Sequence, residues 1–272
     1  MNYYKTPKMS SSQAQNDEYC LEIKTVQSST IKVLVEALKE ILTDTVIEIT
    51  EEYIKICTMD SSHIILIHIK LEADKFEYYH CEGKKLIGIN ILNLNKIIKT
   101  INNNDTLTIY MYKNDPNHLC IKLENTEKNT RRVTKLNLLD LDNTNFEIPS
   151  ATFNSVITLP SNDFQKICRD INNLSDYVEI KNVNNQLIFD CLGDFCSQQI
   201  IISDSDQQVY ENAEEIFQGV YNVKYLVLFT KCTNLSNTVE LYLKNDYPLI
   251  IQYTVGSLGS IKLCLAPQQD SS

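Results

Sequence analysis

Four segments of the chain repeat one hydrophobic pattern. Ile31, Leu34, Val35 and Leu38; Leu94, Ile97, Ile98 and Ile101; Phe164, Ile167, Cys168 and Ile171; and Val223, Leu226, Val227 and Thr230 each fall at i, i+3, i+4 and i+7. That spacing gathers side chains on one face of a helix, so each segment is predicted to be a helix that seals a core. After each helix the pattern changes to alternating or β-branched runs, at 46–49 and 53–57, 107–112 and 119–123, 178–180 and 187–191, and 239–243 and 249–255. These read as strands. Polar turns such as Asn114-Asp115-Pro116-Asn117 separate them. Further strands are expected at 64–71, 85–91, 198–202 and 261–265, which makes strand content exceed helix content.

Helix starts recur about every 65 residues, as four copies of one helix-plus-strands unit would give. Two units per domain fit 272 residues, and helices sharing one apolar face would lie on curved sheets in an α+β fold. Residues 1–18 are polar and aperiodic and read as a disordered tail. The divisions that follow are a first domain at 19–135, a linker at 136–153, a second domain at 154–267 and a short tail at 268–272. The linker mixes apolar residues with acids and ends near Pro149.

Each helix also carries cations at fixed offsets from its stripe. In the first and fourth, lysines stand one and eight places after the first stripe residue, as Lys32, Lys39, Lys224 and Lys231; in the second and third, basic residues stand two and five places after it, as Lys96, Lys99, Lys166 and Arg169. A lysine on the outer side of an amphipathic helix is usually only solvated, and Glu36, Glu40, Asp163 and Asp170 share these faces. Repetition over four helices instead points to phosphate. The net charge of −10 has the wrong sign for holding nucleic acid by bulk attraction, so any DNA contact must be local.

The candidate chemistry is thin. The string MDSSH places Asp60, Ser61 and His63 within five residues, but no GxSxG elbow or oxyanion hole accompanies it. His63, His68, His80 and His118 and nine scattered cysteines show no recognised zinc spacing, and a zinc or thiol enzyme using Cys191 and Cys196 is a remote alternative. No CxxC pair occurs, and the N-terminus has no apolar signal-peptide core, which fits free thiols in a reducing compartment. GSLG (256–259) lacks the lysine and hydroxyl of a phosphate loop. No enzyme activity, cofactor or metal is expected.

Longer strings are specific. VEALKEIL (35–42), MDSSH (59–63), LLDLD (138–142) leading to Ile148-Pro149, ICRD (167–170), KYLVLFTK (224–231), PLIIQY (248–253) and LAP (265–267) occur in one order along the chain. On these strings it resembles the proliferating cell nuclear antigen family, the eukaryotic-type DNA sliding clamps, over all but its two tails. The resemblance implies a DNA clamp fold: two similar domains, each of two βαβββ units, in a head-to-tail homotrimeric ring with helices lining the hole. Such a ring holds duplex DNA by topology and needs only weak, sequence-independent phosphate contacts. It implies a polymerase processivity factor in the nucleus or at a site of DNA replication, viral compartments included. Its partners would be DNA polymerase, other replication and repair proteins carrying short clamp-binding peptides, and a clamp-loader ATPase.

Carried over by position, the DNA-facing set is Lys32, Lys39, Lys96, Lys99, Lys166, Arg169, Lys224 and Lys231, the residues that the repeat selects. The partner-peptide pocket, which accepts a helical plug, maps to Met59, His63, Ile64, Leu66, Phe146, Ile148, Pro248, Leu265, Ala266 and Pro267. Phe146 stands where the family usually has leucine, and Cys264 where it has tyrosine. The ring joint maps to 118–124 of one subunit against 196–203 of the next, with Cys120, Ile200 and Ile202 as its apolar part. The alternative is a clamp-fold scaffold that does not close a homotrimeric ring.

Overall fold

The structure is a computed structural model that describes residues 18–60, 62, 64–142, 146, 153, 155–183, 186–203, 206–209 and 217–268. The first domain holds β1 (Tyr19–Thr25), α1 (Ser28–Leu38), β2 (Asp44–Ile49), β3 (Tyr53–Met59), β4 (Ile65–Glu72), β5 (Tyr78–Cys81), β6 (Lys85–Asn90), α2 (Ile91–Ile98), β7 (Thr106–Tyr112), β8 (His118–Asn125) and β9 (Thr130–Asn137). The second holds β10 (Ser155–Pro160), α3 (Ser161–Asn172), β11 (Tyr177–Val183), β12 (Gln186–Leu192), β13 (Ser197–Ile202), β14 (Asp206–Val209), β15 (Phe217–Asn222), α4 (Val223–Phe229), β16 (Thr238–Leu243), β17 (Leu249–Val255) and β18 (Gly259–Leu265). The four-fold repeat is therefore β-α-β-β-β, with β5 and β14 as additions.

Within each domain the units exchange their first strands. β1 pairs with β7 and β6 with β2; likewise β10 pairs with β16 and β15 with β11. Neither unit closes a sheet by itself, so each domain folds as one body. The two domains then share a sheet of order β14-β10-β16-β17-β18-β4-β3-β2-β6, joined where β18 runs antiparallel to β4 from Gly259↔Leu71 to Leu265↔Ile65. Sheets of order β5-β1-β7-β8-β9 and β13-β12-β11-β15 complete the structure.

Each predicted stripe is buried where it was expected. Leu34, Val35, Leu38, Leu94, Ile98, Ile101, Phe164, Cys168, Ile171, Val223 and Leu226 are buried, and Ile31, Ile97, Ile167 and Val227 sit half-buried at the stripe margins. Each fully buried Leu, Ile or Phe contributes about 1.5–3 kcal/mol by leaving water. The helices pair as α1 with α2 and α3 with α4, and the 3₁₀ turn Thr230–Leu235 packs on α1 across the domain boundary. The fourth helix ends earlier than its stripe predicts. The Thr230 hydroxyl donates to the Val227 carbonyl at 2.7 Å and that of Thr233 to the Thr230 carbonyl at 2.7 Å, so side chains compete for the carbonyls that an α-helix would use.

Every strand expected from the sequence is present, with ends shifted by a few residues. Ile91 opens α2 instead of closing β6, because the Asn90 side chain accepts from the Asn93 N–H at 2.9 Å and caps the helix. Six strands had no forecast: β1, β5, β9, β10, β14 and β15. β9 carries the sequence TRRVTKLN and extends the first domain to Asn137, two residues into the expected linker. Residues 1–17 of the expected N-terminal tail lie outside the described residues. Glu18 does not, and its carbonyl accepts from the Lys113 N–H at 3.1 Å. Of the expected C-terminal tail, Gln268 is described and donates its N–H to the Val220 carbonyl at 2.8 Å.

The interdomain pairing leaves no room for a side chain at Gly259. A Cβ there would stand 2.0 Å from the Lys70 carbonyl oxygen and 2.9 Å from the Leu71 Cα, both backbone atoms that cannot swing aside. Gly259→Ala is therefore expected to lower unfolding free energy by about 2–4 kcal/mol, read from the denaturant midpoint. A midpoint equal to wild type would show that the β18–β4 seam is not under this constraint.

Candidate functional site

The eight predicted cations all sit on or beside the four helices, turned away from the buried stripes. At about 100° per residue, those of α1 and α4 lie on the stripe's flank and those of α2 and α3 nearly opposite it. Lys96, Lys99, Lys166, Arg169, Lys224 and Lys231 are exposed. Lys96 reaches the Asn93 side-chain carbonyl at 3.2 Å; Lys99, Lys166, Arg169, Lys224 and Lys231 have no ion-pair partner among the described residues. Lys231 lies in the 3₁₀ turn after α4, not in the helix.

Two of the eight are partly used inside the protein. The Lys32 ammonium donates to the Ile101 carbonyl at 3.1 Å, placing positive charge just beyond the C-terminal end of α2, where helix carbonyls favour it. The Lys39 ammonium stands 3.6 Å from the Glu40 carboxylate. Sequence spacing places both on the basic face but is silent on these local partners.

Some of the residues expected to form the pocket come together near the domain junction, Met59 opposite Leu66 across β3 and β4 and Ala266 beside Ile64. On the face of the shared sheet away from the helices, strand register aligns Met59, Leu66, Cys264, Ile250 and Tyr242 in one row across β3, β4, β18, β17 and β16, with Cys264 and Ile250 buried and the others partly exposed. Phe153 stands edge-on to Tyr242 and to Tyr247, with ring centroids 5.3 and 5.5 Å apart. Ile64, Phe146, Pro248 and Pro267 are half-buried and Ala266 is exposed, whereas Leu265, expected in the pocket, is buried on the inward face of β18 as part of the core. The Ala266 N–H approaches the Ile64 carbonyl at 3.4 Å, tying LAP to the turn after β3. His63 and Ile148 lie outside the described residues. Ile250 and Tyr242, which enter the row through pairing between distant strands, and Phe153 and Tyr247, which join it by ring packing, were not foreseen.

The MDSSH turn is a structural element. The Asp60 carboxylate accepts from the Ser62 hydroxyl, from the Ser62 N–H at 3.2 Å, and from the N–H groups of Ile64 and Ile65 at 2.9 and 2.7 Å. Burial works against its ionisation, but these donors prevail and hold the carboxyl below its usual value. Nearby, a cleft of about 200 Å³ opens between Asp44, Thr45 and Val46 of β2, Cys57 and Thr58 of β3, and Leu141 and Asp142 of the linker. The linker start is held by an N–H of Leu139 donating to the Gly88 carbonyl at 2.8 Å. A Cβ on Gly88 would stand 2.3 Å from the Leu139 carbonyl oxygen, so only glycine permits that approach.

The expected subunit joint needs correction. β8 is not an edge strand: it lies between β7 and β9, and Cys120 is wholly buried within its own subunit. The free edge is β9, which exposes Val133, Arg131, Arg132 and Lys135. Its charged, weakly alternating sequence hides it from a hydrophobic-pattern reading. β13 is an edge strand as expected, with Ile200 and Ile202 half-buried and Ile201 exposed.

No disulfide joins any of the nine cysteines. Among the described residues no three His, Cys, Asp or Glu side chains are grouped to hold a metal ion. His118 is taken up by Asp115, at 2.6 Å.

Two family models match in tandem: proliferating cell nuclear antigen, N-terminal domain, over residues 20–146, and proliferating cell nuclear antigen, C-terminal domain, over residues 147–268. The chain belongs to the proliferating cell nuclear antigen family. It is 35% identical over 257 residues to a probable DNA polymerase sliding clamp 1 of Paramecium bursaria Chlorella virus 1, covering 93% of this chain and 98% of the relative. It is 32% identical over 253 residues to proliferating cell nuclear antigen 2 of Drosophila melanogaster, covering 91% and 97%. Its identity to proliferating cell nuclear antigen of Caenorhabditis elegans is 29% over 255 residues, covering 92% and 97%. The fold is thus the two-domain clamp fold of this family.

Asp60 gives a test of the pocket's frame. Because its carboxyl lies below the usual value, its contribution to stability is complete above the ordinary carboxylate range and is lost as pH falls through the folded-state value. Asp60→Ala is expected to cost about 1–2 kcal/mol at pH 7, with the gap to wild type narrowing as pH is lowered past that range. A gap that is constant or widens on acidification would contradict this role.

Proposed function

We propose that this chain is a DNA sliding clamp, a polymerase processivity factor without catalytic activity that encircles duplex DNA as a homotrimer. The observation that carries this reading is the placement of charge. A clamp-family chain of net charge −10 carries basic residues on all four helices, turned away from the stripes that those helices bury. Bulk electrostatics would repel DNA, so a working contact requires the helices to face a confined duplex. Three copies would present about 24 cations to phosphates spaced about every 1.7 Å along the axis. Contacts of that kind exchange without sequence preference and allow sliding.

Ring closure in this reading joins β9 of one subunit to β13 of the next. The two edges are the ends of the sheets that include β8 and β12, and pairing them would cover backbone donors and acceptors that otherwise invite aggregation. Ile200 and Ile202 remain candidates for its apolar part, with Val133 in place of Cys120. The row Met59, Leu66, Cys264, Ile250 and Tyr242, with Phe146, Pro248, Ala266 and Pro267 near it, would receive the apolar plug of polymerase and other partner peptides. A clamp-loader ATPase would open the ring, and the protein would act in the nucleus or wherever its DNA is replicated.

Retention on DNA tests this reading. Loaded onto nicked circular duplex with a clamp loader and ATP, wild type is expected to stay bound through gel filtration and to leave when the circle is cut. The variant Val133→Glu/Ile201→Glu, placed on the two edges, is expected to lose retention on circles. Cys120→Ser is expected to keep it. Equal retention on linear and circular DNA would refute topological holding.

Neutralising the helix faces tests the DNA contact separately. Lys99→Ala/Lys166→Ala/Arg169→Ala/Lys224→Ala is expected to reduce polymerase processivity several-fold at moderate salt while leaving the subunit fold intact by circular dichroism. Unchanged processivity across a salt series would remove these residues from the DNA-facing set.

A further inference from the structure

The outward face of the shared sheet continues past the apolar row. One pleat period along, about 6.6 Å away, register aligns Glu240, Gln252, Lys262, His68 and Cys57. One period further it aligns Ser260, Lys70, Lys55 and Glu48. Lys55 thus stands directly opposite Lys70, and Lys262 directly opposite His68. Sheets normally avoid like charges at directly opposed positions, because their side chains are the closest cross-strand neighbours, and Lys55–Lys70 is such a pair.

The surrounding carboxylates only partly offset this. Glu72 pairs with Lys70 at 2.9 Å. Glu48 is engaged by Lys84 at 3.0 Å and by the Tyr53 hydroxyl at 2.8 Å. Glu240 accepts from the Tyr242 hydroxyl at 2.8 Å and from the Gln252 amide at 2.7 Å. Lys262 lies over the Tyr242 ring and Lys70 over the Tyr53 ring, at 5.9 and 5.4 Å. Among the described residues neither Lys55 nor Lys262 has an ion-pair partner. Burial first, and then Lys55, Lys262 and Lys70, push the His68 imidazole down to about 4, so the strip's positive charge resides on its lysines.

We propose that Lys55, Lys70 and Lys262 form an anion-reading extension of the partner pocket, selecting peptides that carry carboxylate side chains beside their apolar plug. The inference rests on the pocket reading above. Two observations favour a peptide over DNA. Ile65, Ile67, Ile69 and Leu71 of β4 point into the core that the helices cover, whereas Leu66, His68 and Lys70 point to the other face, so the strip is turned away from the DNA-facing set. The strip also begins one pleat from the plug row. A segment held by its plug therefore meets the lysines at high effective concentration, and weak exposed ion pairs become useful.

The test uses the full chain and fluorescent 18-residue peptides that contain one aliphatic and two aromatic plug residues. Three glutamates are placed before or after the plug, or three glutamines in their place, and affinities are measured by anisotropy at about 50 mM salt. One of the glutamate peptides is expected to bind about five- to tenfold tighter than its glutamine partner. That preference should vanish in Lys55→Gln/Lys262→Gln, with glutamine-peptide affinity unchanged, and fade at 0.5 M salt.

Equal binding of glutamate and glutamine peptides to wild type would overturn the strip while leaving the pocket standing. A glutamate preference that survives in the double variant would overturn it as well. No binding of any peptide would take down the pocket reading and the strip with it. If the double variant instead lost affinity for a short DNA duplex, the strip would be a phosphate contact and the proposal would fall.

Discussion

The antiparallel seam between β18 and β4 is the constraint on which the rest of this molecule depends. Its backbone pairs run from Gly259↔Leu71 to Leu265↔Ile65 and join the two domains in one continuous sheet over a shared hydrophobic core. Side chains follow from that register without further choice. The inward set Ile65, Ile67, Ile69, Ile261, Leu263 and Leu265 closes the core beneath the helices, and the outward set includes the row proposed to receive partner peptides. A slip of one residue would exchange the two sets, burying Lys262 and His68 and exposing isoleucines. Apolar burial therefore locks the register, and the register in turn fixes the pocket. Ala266 reaches Ile64 because this seam brings the end of the second domain to the β3–β4 corner of the first.

Charge is distributed with a comparable logic. In the proposed ring, an acidic chain with four basic helix faces would separate two tasks: its net charge opposes indiscriminate adhesion to nucleic acid, and its local cations would act only where the duplex is confined. Lys32 and Lys39 temper that division, since one stabilises the end of α2 and the other has a glutamate neighbour. The outward lysine strip is a second local exception, on the opposite face of the sheet from the helices.

Much of this was legible in the sequence, for a physical reason. Amphipathic helices write their buried face at 3.6-residue intervals, so the stripes beginning at Ile31, Leu94, Phe164 and Val223 and the cations beside them could be read directly. Strong alternating strands such as β4 and β16 were equally plain. What stayed hidden depends on pairing between remote segments. The exchange of first strands between units leaves no local mark. β9 carries too much charge to read as a strand, so the family's edge strand was mapped onto β8, with Cys120 as an interface residue, instead of onto β9. The proposed pocket was mapped by alignment to the family, whereas Ile250, Tyr242, Tyr247 and Phe153 stand beside Met59 and Leu66 only through register and ring packing. The early end of α4 turns on hydroxyl bonds from Thr230 and Thr233, which hydrophobic periodicity does not register.

The central claim is that exposed edges β9 and β13 close three copies into a ring, and the solution mass of the chain tests it most directly. Light scattering on purified protein at about 10–50 µM is predicted to give three times the 31.3 kDa subunit mass, with Val133→Glu/Ile201→Glu falling to the subunit mass. Wild-type protein that stays at the subunit mass over that range, or a trimer indifferent to both edge substitutions, would contradict the account.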